Sequence, residues 1–314
     1  LEYIQLALKQ INDGMELKNL TIAVIGLGQI GASLAAGLKG KVNTIVGFDI
    51  DPLNEEFCMN AGIIDTSNTL EEICQMADVV AIATPVDQVM PIASRILSAS
   101  GKPLAVFDVG STKSIINIVL STLPERSKFV SSHPMAGSAE QGAVNASASL
   151  FRNKLVYICD EHLCSKQAVE LITGLWDLLG ARVEFIDSNQ HDKLMANVSH
   201  LPQLVSYALA IASVNRIGSL NQTMEAASSG FDSMTRLAKS SASMWLPIVK
   251  QNKENILSAI VEFQKQLNRI ELAIRQNDDQ TLQWLIVQAN GIRKAFENQQ
   301  NQNILNHGKR KVKN

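Results

Sequence analysis

Two textures divide the chain. From residue 20 to about residue 187, short apolar runs alternate with segments whose apolar residues recur at helical spacing. The runs cover residues 21–25, 44–48, 79–83, 104–107, 129–130, 155–159 and 183–186, flanked by Gly, Asp, Pro or Ser. Short runs separated by helices predict a mostly parallel sheet, because a parallel neighbour needs a crossover long enough to hold a helix. Helices on both faces then bury both sides of each strand. After residue 187 the strand pattern stops. Residues 191–217 read as one long helix with Leu194, Met195, Val198, Leu201, Val205, Ala208, Leu209 and Ala212 on its buried side. Pro202 predicts a kink or local break there. Ile256, Ile260, Phe263, Leu267, Ile270 and Ile274 step by four, three, four, three and four, a coiled-coil-like seam. Leu282, Leu285, Ile286, Ala289, Ile292 and Phe296 make a further apolar face. The expected fold is an α/β domain over residues 1–187, opening with a short amphipathic helix (1–17), followed by an all-α domain over 188–314.

Composition narrows the class. Of 314 residues, 46% are hydrophobic and 18% charged, with a net charge of −2. That balance gives no global attraction to nucleic acid or to a membrane surface. No run approaches the roughly 20 apolar residues of a membrane span, and the first residues lack the unbroken apolar core of a signal peptide. Cys58, Cys74, Cys159 and Cys164 form no C-x-x-C pair, as expected of buried thiols in a reduced cytoplasm. From residue 299 the chain is rich in Asn and Gln and ends in Lys309, Arg310, Lys311 and Lys313, which reads as a frayed, solvated terminus. Neither that tail nor the short segment before the first strand reads as a regulatory or fused catalytic domain.

The first strand runs directly into Gly26-Leu27-Gly28-Gln29-Ile30-Gly31, followed by a helical segment. Gly26 permits the tight turn, Gly28 lets a pyrophosphate approach the backbone, and Gly31 lets the helix pack against the sheet. The helix N-terminus supplies N–H groups and a positive dipole end to the phosphates. Asp49 ends the second strand 18 residues after Gly31, where a carboxylate can hold the adenosine ribose hydroxyls and repel a 2′-phosphate. Asp51 lies nearby, beyond the strand end. These residues predict a Rossmann-type dinucleotide-binding domain that takes NAD. Gln29, Ile30, Thr84 and Pro85 are counted with the cofactor site. No metal site is expected.

A nucleotide fold does not name a substrate. Ser111, in Gly110-Ser111-Thr112-Lys113, follows a strand and opens a helix. His133 ends another strand and precedes Pro134. Ligands of open α/β sheets collect at such carboxyl ends, so His133 and Ser111 are the candidate chemical groups.

At these residues the chain resembles the prephenate and arogenate dehydrogenase family. The resemblance is carried by Gly110-Ser111-x-Lys113 and His133-Pro134-Met135-Ala136-Gly137. It continues through His191-Asp192, Val198-Ser199-His200-Leu201-Pro202, and Gly230-Phe231 to Thr235-Arg236-Leu237-Ala238 and Met244-Trp245. It spans about residues 20 to 267 in motif order. What it implies is an oxidative decarboxylation of prephenate with hydride transfer to NAD. His133 would be the base and Ser111 its orienting partner. Arg236 and His200 would bind the substrate; Gln203, about one helical turn from His200, is counted with them. The apolar seam from Ile256 to Ile274, more than one short bundle layer can cover, predicts a homodimer through the helical domain. Two positions depart from the family pattern: Ala139 stands where relatives place a glutamate, with Glu140 one residue later, and Gln203 replaces a histidine. Arogenate is the alternative substrate. A β-hydroxyacid dehydrogenase using Lys193 and Asn197, one helical turn apart, is the rival chemistry.

Overall fold

The computed structural model describes residues 16–99, 101–137, 140 and 142–310. The expected N-terminal helix falls largely outside these residues; Leu17–Asn19 forms a single 3-10 turn. Among the described residues, eight strands make one sheet. They are Thr21–Ile25 (β1), Thr44–Phe48 (β2), Thr66–Ser67 (β3), Val79–Ile82 (β4), Ala105–Asp108 (β5), Phe129–Pro134 (β6), Leu155–Cys159 (β7) and Arg182–Ile186 (β8). Their order is β3-β2-β1-β4-β5-β6-β7-β8. Strands β1 to β6 are parallel, β7 runs antiparallel to β6, and β8 runs parallel to β7. The order reverses at β1 and β4, which opens a ligand crevice at their carboxyl ends. Strand β3 carries no apolar run; its two residues are strand by virtue of pairing with Val46 and Gly47.

Helices Gln29–Leu38 (α1), Pro52–Asn60 (α2), Leu70–Met76 (α3), Val86–Ser98 (α4), Ser114–Leu120 (α5) and Lys166–Leu178 (α6) connect the strands. The continuous apolar text of β1 reflects burial on both sides. Ile22 and Val24 pack into one core with Leu34, Leu38, Phe107 and Trp176. Ala23 and Ile25 pack into the other with Val80, Ile82, Ile96 and Phe129. Trp176 sits edge-on to Phe107 and Phe151, with ring centroids 5.8 and 5.2 Å away.

The change from strands to helices falls between Ile186 and Ser188. The Asp187 carboxylate caps Ser188–Met195 (α7), accepting the N–H groups of Asn189 and Gln190 at 2.9 and 3.0 Å. The long helix expected over 191–217 is broken at its start. Ala196–His200 is a π-helical turn, and Leu201–Ile217 (α8) continues from it. Pro202 has no N–H to give the carbonyl of Val198, and the wider turn absorbs that loss without ending the helix. Leu220–Ala226 (α9), Ser229–Thr235 (α10), a 3-10 turn at Arg236–Lys239 and Ala242–Gln251 (α11) follow.

The chain divides into one compact unit running to Ile256 and a second starting at Leu257. The second contains most of Lys253–Gln276 (α12) and all of Asp279–Arg310 (α13). The tail expected to fray from residue 299 is helical in backbone as far as Arg310; Lys311 and Lys313 lie outside the described residues. Phe263, Leu267, Ile270 and Ile274 of the apolar seam are exposed in the single chain. Among the described residues, no helix is long and apolar enough to cross a membrane.

Candidate active site

The glycine turn after β1 has the local geometry its sequence demands. Gly26 has φ +91°, and a Cβ there would stand 2.7 Å from the Ala83 carbonyl oxygen. A Cβ on Gly31 would overlap the Gly26 carbonyl, whereas one on Gly28 would meet nothing within 4 Å. The turn is therefore closed toward the sheet at Gly26 and Gly31 and open outward at Gly28, as a pyrophosphate requires. Gln29 begins α1, and Ile30 follows in its first turn. Thr84, after β4, contributes a buried hydroxyl with no partner among the described residues, and Pro85 caps α4. The Asp49 carboxylate accepts the N–H of Leu27 at 2.5 Å and that of Asp51 at 2.8 Å, which ties the end of β2 to the glycine turn. These residues fit a dinucleotide.

The chemical groups stand on the same edge of the sheet. His133 lies within β6, because antiparallel pairing with β7 carries the strand on to Pro134 and sets His133 opposite Tyr157. The strand end expected at His133 is thus present, held by this pairing as well as by the proline that follows. Its Nδ1 is 2.9 Å from Nε2 of His191 on α7. His191 Nδ1 is in turn 2.9 Å from Oδ1 of Asp192. The Asp192 carboxylate also accepts the N–H groups of Lys113 and Ser114 at the start of α5, both at 2.9 Å. Asn252 donates to the Asp192 carbonyl oxygen at 2.7 Å, and its amide nitrogen is 3.1 Å from Nδ1 of His200. The His200 ring is edge-on to Trp245 at 5.8 Å.

Beneath this network the Lys113 ammonium pairs with the Asp108 carboxylate, both fully buried. Asp108 further accepts the N–H of Gly110 at 2.9 Å and of Ser132 at 3.3 Å. Burial, then His191, Lys113 and His200, hold His133 well below the ordinary histidine range. Burial likewise lowers His191, against the pull of Asp192, and brings His200 down to about 4. At neutral pH the site holds uncharged imidazoles, the state a proton acceptor needs.

The remaining expected residues are dispersed. Ser111 is half-buried in the turn between β5 and α5, and the ring partner of His133 is His191. Gln203 is buried and donates to the Leu237 carbonyl at 2.6 Å, tying α8 to the turn that carries Arg236. Arg236 itself is exposed. Glu140 is exposed and paired with Lys239 at 2.7 Å. Lys193 and Asn197, the residues of the rival dehydrogenase chemistry, are both exposed, and Asn197 donates to the Lys193 carbonyl of its own helix. They take no part in the histidine network. The specific roles of His191, Asp192 and Asn252 are absent from the sequence reading. An adjacent His-Asp pair opening a helix was the available signal for two of them; Asn252 gave none.

Residues 34–185 match the family model for the nucleotide-binding domain of prephenate dehydrogenase, and residues 187–288 match that for its dimerization domain. The chain is 32% identical over 282 residues to the prephenate dehydrogenase of Lactococcus lactis, covering 88% of this chain and 77% of that protein. Its structure is similar to that of prephenate dehydrogenase from A. aeolicus in complex with hydroxyphenyl propionate and NAD+. That likeness has a TM-score of 0.82 at 28% identity, over 88% of this chain and 98% of that one. It is also similar to Synechocystis arogenate dehydrogenase, with a TM-score of 0.74 at 26% identity over 88% and 100% of the two chains. The Rossmann strand order and the helical half that follows it agree with these matches. The chain belongs to the prephenate dehydrogenase family and is an NAD-dependent oxidoreductase of the prephenate/arogenate type.

Proposed function

We propose that the enzyme oxidises prephenate, with loss of carbon dioxide, to 4-hydroxyphenylpyruvate. The observation that carries the reading is a neutral, half-buried His133 at the carboxyl end of β6, on the sheet edge that also bears the glycine turn. Bound at that turn, NAD supplies the nicotinamide that accepts the hydride. Nε2 of His133 takes the proton of the ring hydroxyl as the hydride leaves the same carbon, and the C–O bond becomes a carbonyl. The ring carboxylate then departs as carbon dioxide. Its bonding electrons complete the aromatic ring and move the charge to the phenolic oxygen, which recovers the proton from His133. Ser111, in the turn after β5, contacts the hydroxyl. Arg236 and His200 hold the carboxylates, with Gln203 beside them; an arginine fork suits a carboxylate bidentately. Asp49 selects NAD. Residues 1–187 are the dinucleotide domain and 188–314 the substrate and dimerisation domain. Dimerisation covers the apolar seam of α12.

A second reading, arogenate as substrate, is favoured by the likeness to the Synechocystis enzyme. Steady-state kinetics on both substrates with NAD and NADP separate the two. In the same assay His133→Asn keeps a polar side chain but cannot take the proton. It should lower kcat by roughly 10²–10⁴ while NAD affinity stays near that of the parent. Arg236→Ala should instead raise KM by about 10- to 100-fold, the cost of one charge-assisted contact. A His133→Asn variant with most of its kcat intact would place the base elsewhere.

A further inference from the structure

His133 and His200 terminate two branches of one hydrogen-bonded chain, and its fixed members dictate where each ring carries its proton. The first branch starts at the Asp192 carboxylate, which only accepts. It takes the N–H groups of Lys113 and Ser114 and faces Nδ1 of His191 at 2.9 Å. His191 therefore bears its proton on Nδ1, and in a neutral ring Nε2 is bare. That bare nitrogen is 2.9 Å from Nδ1 of His133, which must donate. Nε2 of His133 is left as an acceptor.

The second branch starts at the main-chain carbonyl of Asp192, which also only accepts. Asn252 must turn its NH2 toward it, at 2.7 Å. Asn255, which donates to Oδ1 of Asn252 at 2.8 Å, is consistent with that orientation. The Asn252 NH2 also lies 3.1 Å from Nδ1 of His200, and because an NH2 only donates, that ring nitrogen accepts. His200 thus carries its proton on Nε2, an atom that is buried and has no hydrogen-bond partner among the described residues.

We propose that Asp192, through its carboxylate and its carbonyl, locks the two histidines in opposite tautomers, His133 as acceptor and His200 as donor at Nε2, with His191 and Asn252 as the positioning residues. The proposal rests on the reading of His133 as base. It divides the labour that a hydroxy acid demands: one imidazole receives the hydroxyl proton, and the other holds a carboxylate or carbonyl oxygen. A donor at His200 also completes an otherwise unsatisfied buried N–H when such an oxygen arrives.

The tautomers can be read directly on the full chain with ¹⁵N-labelled histidine, by long-range ¹H–¹⁵N correlation at neutral pH without substrate. Protonated Nδ1 with bare Nε2 is expected for His133, and protonated Nε2 with bare Nδ1 for His200. His191→Met removes the acceptor that locks His133 and should lower kcat by at least about tenfold with KM little changed, since loss of an orienting partner in a hydrolase triad can cost up to ~10⁴. His191→Gln can accept from His133 and donate to Asp192, and should restore most of that loss. Asn252→Asp offers His200 only an acceptor; it should reverse that ring's tautomer and raise KM by about tenfold. A wild-type His133 protonated on Nε2, a His200 protonated on Nδ1, or equal kcat in His191→Met and wild type would overturn the proposal. A wild-type chain inactive on prephenate and arogenate, with both tautomers as assigned, would overturn the functional reading and leave the wiring supported.

Discussion

Lys113→Met isolates the buried charge beneath the histidines. Lys113 and Asp108 are both fully excluded from solvent, and their side chains are directly paired. Removing the ammonium leaves the Asp108 carboxylate with the N–H groups of Gly110 and Ser132 but without its counter-charge. Breaking a buried pair from one side costs about 3–5 kcal/mol. That is a large share of the roughly 5–15 kcal/mol that holds a domain folded. The main-chain N–H of Lys113 still reaches Asp192, so the attachment of α5 to α7 survives the change. Asp108→Asn in the same chain removes the stranded charge and keeps an oxygen for Gly110. The double variant should therefore recover about 2 kcal/mol or more of the loss. Urea unfolding followed by tryptophan fluorescence measures both, because Trp176 is buried in the neighbouring core. Lys113 also weighs against protonation of His133. The acidic limb of the kcat profile should accordingly move to higher pH in the double variant. A single variant that loses less than about 1 kcal/mol, or a double variant worse than the single, would refute this account.

Three further outcomes follow from the geometry. Asp49→Ser combined with Ile50→Arg should shift cofactor preference toward NADP, since Ile50 is 92% exposed beside the ribose carboxylate; ratios of kcat/KM for the two cofactors check it. Stability should fall on acidification below pH 6.5. A histidine whose folded pKa is depressed stabilises the fold fully above its unfolded pKa and loses that contribution as pH falls toward the folded one. His200 alone, brought down to about 4, should withdraw about 3 kcal/mol across that window, and His200→Gln should flatten the slope measured by urea titrations. The exposed seam of Phe263, Leu267, Ile270 and Ile274 should be covered by a second copy of the chain; multi-angle light scattering at micromolar concentration should give twice the chain mass, and a monomer there would count against it.

The parts of this protein legible in one dimension are those governed by neighbours in sequence. A strand running into Gly26-x-Gly28-x-x-Gly31 needs only local sterics to become a phosphate turn, and Asp49 ends the next strand. Burial on both faces of β1, β2 and β4 writes itself as unbroken apolar runs, so the α/β class is visible without any contact map. Pro202 marks a disturbance in its helix, though not that the chain answers with a π-turn ending at His200. Strand β3 has no pattern of its own and exists through pairing with β2. The histidine network is further from view. His133 and His191 are 58 residues apart, and Asn252 is 52 residues beyond His200. Periodicity reports which side of an element is buried, not which polar atoms meet across elements, and the protonation of an imidazole depends on that meeting. The sequence by itself determines the cofactor turn, the fold class and the presence of a histidine at the end of β6. Only the tertiary structure brings His191, Asp192 and Asn252 together, because a hydrogen bond is decided within a few tenths of an ångström by elements that fold from distant parts of the chain.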